Sequence, residues 1–179
     1  MAFDAYLNID GIKGESMDAK HKGEIDIMSF SWGAAQTGVQ ATGGGGGAGK
    51  VKMHDFIVTK KTDAASPLLM LNCASGAHIK SANLTVRKAG GEQLEYLKIK
   101  LSDLIVSSYK PHAIESAIGI EDPASGLPTG KSEHDEIPME EVALNFSKIE
   151  FSYQPQGPDG KAQGGPIVAG WDVKANKKV

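Results

Sequence analysis

Hydrophobic and polar residues alternate with a period of two along most of this chain, the pattern of strands with one buried and one wet face. Tyr6-Leu7-Asn8-Ile9-Asp10 predicts a short opening strand ended by Gly11. Between Glu24 and Trp32, Met28, Phe30 and Trp32 fall on one side, predicted to be core. Ile25, Ile27, Ser29 and Ser31 fall on the other, predicted to face something wetter. Lys50 to Lys60 is a further strand whose apolar positions change parity between Met53 and Phe56, which predicts a bulge near His54-Asp55. From Ile79 to Lys88, Leu84 and Val86 oppose Thr85 and Arg87, and Gly90-Gly91 then makes a turn. Leu94 to Tyr109 and residues 139–154 are long strands that each switch parity once. Leu97, Ile99 and Leu101 give way to Leu104 and Val106, while Val142, Leu144 and Phe146 give way to Ile149, Phe151 and Tyr153. A last strand, Pro166 to Lys174, centres on Trp171. Long strands broken by bulges are what a sheet needs in order to curl and close.

One helix interrupts the strands, over residues 63–75. Ser66 is placed as its N-cap, Pro67 as N1 and Gly76 as the left-handed C′ residue. Leu68, Leu69, Leu71 and Cys73 form its expected apolar face. Two stretches lack periodicity. Residues 33–50 form an extended glycine-rich loop, with Gly43, Gly44, Gly45, Gly46 and Gly47 consecutive. Residues 110–138 form a long irregular insertion between two adjacent strands and hold four of the eight prolines. The class implied is mostly β: one domain over 1–179, an antiparallel β-barrel made of two sheets closing on each other, with about seven to nine strands and one flanking α-helix.

Composition narrows the chemistry. The formal net charge is -3, which argues against a nucleic-acid partner. The single cysteine, Cys73, excludes an internal disulfide and a one-chain thiolate cage. The first residues show neither a basic n-region nor an apolar core, so synthesis in the cytoplasm without a signal peptide is expected. No apolar run reaches the length of a membrane helix, and no membrane insertion is expected.

Candidate motifs fall to plainer readings. Gly44 to Lys50 fits the glycine-lysine part of a phosphate-binding loop, but Val51 replaces the required Ser or Thr and a strand follows where a helix is needed. His134-Asp135-Glu136 is a solvated charge cluster rather than a metal site. Cys73 lacks an activating base nearby in sequence, and there is no G-x-S-x-G elbow. Phe30, Trp32, Phe146, Phe151, Tyr153 and Trp171 fit a packed core better than a carbohydrate platform. No catalytic residue, cofactor or metal is expected. The alternative is a small-ligand or carbohydrate-binding β-barrel.

Local strings carry a more specific signal. Gly11-Ile12-Lys13-Gly14-Glu15-Ser16, His21-Lys22-Gly23-Glu24-Ile25 and Ser31-Trp32-Gly33 open the chain. Gly43 to Lys50, Ala65-Ser66-Pro67, Thr85 to Gly91, Glu95-Tyr96-Leu97, Leu144-Asn145-Phe146 and Gly170-Trp171-Asp172 follow in order. Together they resemble the Hcp family, the haemolysin-coregulated tube proteins of type VI secretion. The resemblance implies a structural protein and not an enzyme: a homohexameric ring that stacks into a tube. It implies a contractile sheath, a spike protein and lumen-borne effector proteins as partners, and secretion through the type VI apparatus. It places Ser31, with Ser29 beside it, toward the lumen. It also makes the loop bearing Gly43–Gly47 and Lys50 a contact to the next ring or subunit. The insertion at 110–138 departs from the shorter connection of most relatives.

Overall fold

The computed structural model describes residues 3–36, 50–88, 93–112, 137–158 and 160–179. In chain order its strands are β1 (Phe3–Ile9), β2 (Ile25–Ile27), β3 (Ser29–Ser31), β4 (Ala34–Ala35), β5 (Lys52–Met53), β6 (Phe56–Lys61), β7 (Ile79–Lys88), β8 (Glu95–His112), β9 (Met139–Tyr153), β10 (Ile167–Asp172) and β11 (Lys177–Lys178). One helix, α1 (Ser66–Ser75), lies between β6 and β7. Every pairing is antiparallel. The ladder runs β2-β1-β7-β8-β9, and β9 then carries two further branches. Its first half pairs with β6, which pairs with β3; its second half pairs with β10, which pairs with β11. Because Met28 alone joins β2 to β3, the two ends of the path β2-β1-β7-β8-β9-β6-β3 are successive pieces of one stretch of chain. β4 and β5 form a separate two-stranded arm.

The parity switches fall where the alternation breaks. β5 and β6 are separated at His54-Asp55. In β8 and β9 the register passes from Ser102↔Lys148 to Leu104↔Phe146, stepping over Asp103 and Ser147. Asp103 takes a φ of 49°, and its carboxylate accepts from Ser147 Oγ at 3.0 Å. A second irregularity at Ser107 lets Ser108 oppose Ala143. Through the interruption at Asp103 and Ser147, which leaves the register unchanged, and the shift at Ser107, Ile99, Leu101, Leu104, Val106, Val142, Leu144 and Ile149 all stay buried. Phe56, Leu7, Ile25, Leu69 and Leu84 complete the centre of the core.

Several sequence expectations change. In 24–32 the core face is not continuous: Ile25 and Ile27 are buried, while Met28 is exposed. The chain leaves β1 for β6 at Met28, whose N–H donates to Thr59 O at 2.9 Å, and that corner flips the parity. Phe30 and Trp32 do pack against the core, and Ser29 and Ser31 are exposed. Ser66 is not the N-cap; Ala65 is, and the helix proper begins at Ser66 rather than at 63. Its hydroxyl accepts from the Asp63 N–H and donates to Glu140, so it turns inward instead of capping. Gly76 ends α1 at a φ of 62°, as its position implied. Of the expected helix face only Leu69 is fully buried and Cys73 partly so; Leu68 and Leu71 are exposed. Arg87, which alternation sets on the side opposite Leu84 and Val86, is buried as they are. The strands flanking the insertion pair as far as His112↔Met139, so regular structure reaches into 110–138 from its first side. Residues 113–136, and Gly90-Gly91, lie outside the described residues.

The segment between β1 and β2 is closed by backbone bonds. Gly14 N–H donates to Gly23 O at 2.9 Å and Ser16 N–H to Glu24 O at 3.0 Å. A Cβ at Gly14 would sit 2.7 Å from Ile25 Cα and nearer still to the Glu24 carbonyl oxygen. Gly14→Ala should therefore cost about 1–3 kcal/mol, as overpacking does. Urea unfolding checks this; an unchanged midpoint would contradict the close approach.

Candidate assembly surfaces

Residues paired across neighbouring strands put their side chains on the same face. One row on the outer side of this sheet is therefore Ser29, Thr59, Glu141 and Lys110, read across β3, β6, β9 and β8, with Ser29 and Lys110 exposed and Thr59 and Glu141 half-buried. The next is Ser31, Ile57, Ala143 and Ser108, of which Ser31 is exposed, Ile57 and Ser108 are half-buried and Ala143 is buried. Small side chains and hydroxyls dominate both rows. The charges are internally matched: Lys110 Nζ lies 3.2 Å from Glu141 Oε1. Asp55 accepts from Ser107 Oγ at 2.5 Å and Asn145 Nδ2 at 2.7 Å. This wall is built of small side chains, hydroxyls and paired charges.

β10 has a different character. Ile167 and Val168 are 64% and 60% exposed. β9 pairs with the inner edge of β10, but β11 covers only Trp171 and Asp172 on the outer one. The outer edge of Ile167–Ala169 thus has no strand beside it among the described residues. An unpaired edge bearing exposed aliphatic side chains is a template for another chain. A second apolar surface lies on α1, where Leu68, Met70 and Leu71 are exposed.

Two buried polar clusters hold these surfaces in place. Lys60 on β6 and Glu140 on β9 are both fully buried and form an ion pair. Lys60 Nζ also meets Asp63 Oδ1 at 2.8 Å and Lys61 O at 2.7 Å, and Glu140 accepts from Ser66 and Tyr109. Burial alone would raise the Glu140 carboxyl, but hydrogen bonds from Lys60, Ser66 and Tyr109 outweigh it and hold it below the ordinary glutamate range. Burial and the neighbouring Glu140 push the Tyr109 hydroxyl up to about 12, so it stays a donor. The second cluster centres on Arg87, which binds Asp4, Asp18 and the Tyr6 hydroxyl and lies 4.9 Å from the Tyr6 ring centroid. The Arg87 hydrogen bond holds Asp18 down at about 2. Tyr6 in turn stacks on His21 at 4.3 Å.

Residues 6–153 match the family described as "Type VI secretion system effector, Hcp". The chain is 43% identical over 177 residues to "Protein hcp1" of Pseudomonas aeruginosa, with 98% of each chain covered. The chain belongs to the Hcp family of type VI secretion proteins. Solved structures agree with this. The crystal structure of Hcp1 from Salmonella typhimurium has a TM-score of 0.72 at 38% identity, covering all of both chains. A structure described as a type six secretion system protein has a TM-score of 0.82 at 29% identity, over 99% of this chain and 100% of the other.

Within this Hcp fold the residues singled out in the sequence separate. Ser29 and Ser31 share one exposed face of β3. Lys50 is exposed beside β5, while Gly43–Gly47 lie outside the described residues, as do His134, Asp135 and Glu136. Phe30, Trp32, Phe151 and Trp171 pack against the core, as the core reading of the aromatics expected; Tyr153 is exposed instead. Sequence reading passed over the β10 edge. Its signal was three successive apolar residues, Ile167, Val168 and Ala169, in a strand lacking two-residue alternation. Lys60–Glu140 had no local signal, since its partners are 80 positions apart.

Proposed function

We propose that this Hcp protein is the tube subunit of a type VI apparatus. Copies associate head to tail into a hexameric ring, and rings stack into a tube inside a contractile sheath beneath a spike protein. The tube leaves the cell with effector proteins held in its lumen. A ring built by repeating one contact needs two different surfaces per subunit. The observation that carries the reading is the open, aliphatic outer edge of β10, with the exposed apolar face of α1 as a second, non-equivalent surface. The wall bearing Ser29 and Ser31 is suited to a bore, because small hydroxyls and matched charges leave it open and wet.

Light scattering followed by negative-stain imaging tests the assembly. Ring-shaped particles of about six times the 18.8 kDa chain mass are expected. A compact monomer at high concentration would overturn the ring. The bore is tested separately by Ser31→Gln, which should lower effector co-purification while leaving ring mass unchanged; a variant that no longer forms rings would contradict the placement.

A further inference from the structure

β9 serves two different parts of the barrel, and the division falls at Ser147. Residues 139–144 pair with β6, whereas residues 148–153 pair with β10. On β8, Asp103 is stepped over by the ladder together with Ser147. Asp103 holds a φ of 49°, a left-handed conformation that residues other than glycine adopt at a cost. Its carboxylate gathers three segments of chain. Ser147 Oγ donates to Oδ2 at 3.0 Å. His78 Nδ1, just before β7, lies 3.1 Å from Oδ1. Lys174, in the turn after β10, forms an ion pair with Oδ2. Beside it, Val173 N–H donates to Ser147 O at 2.8 Å.

Folding stability does not account for this cluster. The side chains of Asp103, His78 and Lys174 are 46%, 73% and 67% exposed, and ion pairs this wet add little to folding. Hydrogen bonds from Lys174, His78 and Ser147 hold the Asp103 carboxyl down at about 2, so its charge persists at any working pH. What the cluster fixes is geometry. It ties the end of β10 to the point where β9 passes from serving β6 to serving β10. Ring assembly is sensitive to that geometry. A contact repeated head to tail gives a closed ring at the right rotation and an open filament at any other.

We infer that Asp103 is a positioning residue for ring closure, holding β10 through Lys174 and Ser147 so that its open edge at residues 167–169 meets the next copy at the angle that closes. This assignment rests on the ring reading with β10 as the contacting edge, and it supplies what sets the angle of that edge.

Two exposed-site variants test it. Asp103→Asn keeps an acceptor for Ser147 and a residue that tolerates positive φ, and Lys174→Met removes the partner charge. Light scattering and negative-stain imaging read assembly. Urea unfolding reads the subunit in the Val168→Lys background, where it is expected as a monomer. Both variants should raise the concentration needed for half assembly at least about tenfold. Their particles should include open arcs and rings of uneven size, while the urea midpoint stays unchanged. Lys174→Arg should form wild-type rings. The double variant should assemble no worse than either single one, because the two side chains act as a unit. Uniform rings of wild-type mass at wild-type concentrations, from both single variants, overturn the positioning role and leave the ring reading standing. A urea midpoint that falls in step with assembly also overturns it. Rings that persist in Val168→Lys itself put the contact away from β10 and overturn it too. Wild-type protein that forms no ring overturns the ring reading, and this assignment with it.

Discussion

Replacing Lys60 by Met lowers the stability of the protein by about 3–5 kcal/mol, the cost of leaving a buried charge without its partner. Lys60 and Glu140 are both completely shielded from solvent, so water cannot take over the lost contact. Glu140 would retain Ser66 and Tyr109 as donors, but two hydroxyls do not neutralise a carboxylate. The defect should reach α1, because Ser66 at its first turn is bonded to both members of the pair. Lys60→Met combined with Glu140→Leu should recover most of the loss, since a buried pair replaced by apolar groups is often close to neutral. Urea unfolding measures it, with the midpoint shifting at constant slope. A loss below about 1 kcal/mol for Lys60→Met would mean that the site is wet in solution.

The same pair sets a pH signature. Glu140 is held below the ordinary glutamate value of about 4.3, so it binds fewer protons when folded than when unfolded. Its contribution is complete above that value and is lost as pH falls through its own lower one. Wild type should therefore lose stability relative to the double variant only in acid, below about pH 4.

Val168→Lys reduces the particle from a ring to a monomer of 18.8 kDa in the proposed assembly. Val168 is 60% exposed on the open edge of β10, so a lysine there leaves the folded subunit within about 0.5 kcal/mol of wild type. The same ammonium would have to be desolvated inside a strand-to-strand contact, which is how natural edge strands are kept from pairing. Light scattering and the thermal midpoint together separate the outcomes. Monomers with an unchanged midpoint support β10 as the ring edge. Rings that persist show that the contact lies elsewhere, and a matching lysine at Leu71 on α1 then becomes the informative change.

Much of the fold was legible from alternation alone. The breaks at His54-Asp55, Ser102-Asp103 and near Ser147 could be located because the apolar parity changes there, and that change is written locally; the expected bulges were not what caused it, since the chain changes partner strands at His54-Asp55 and the β8–β9 register is the same on both sides of Asp103 and Ser147. The stretch from Glu24 to Trp32 was misread for a related reason. Met28 is apolar and fits the alternation of Phe30 and Trp32, yet the chain changes sheets there, and no local pattern reports a change of partner. On α1, Leu68 and Leu71 satisfied a helical apolar face, while their exposure depends on what the barrel leaves uncovered.

The sequence by itself determined a mostly-β chain with one short helix, the positions of most strands and the Hcp family. Each of these rests on periodicity or on strings of neighbouring residues. Only the tertiary structure decided that Lys60 meets Glu140, that Arg87 is buried among Asp4, Asp18 and Tyr6, and that β11 leaves the outer edge of β10 open at Ile167–Ala169 among the described residues. Those facts depend on contacts between residues distant in the chain, whose energy is realised only when the sheet has curled and chosen which edges to pair.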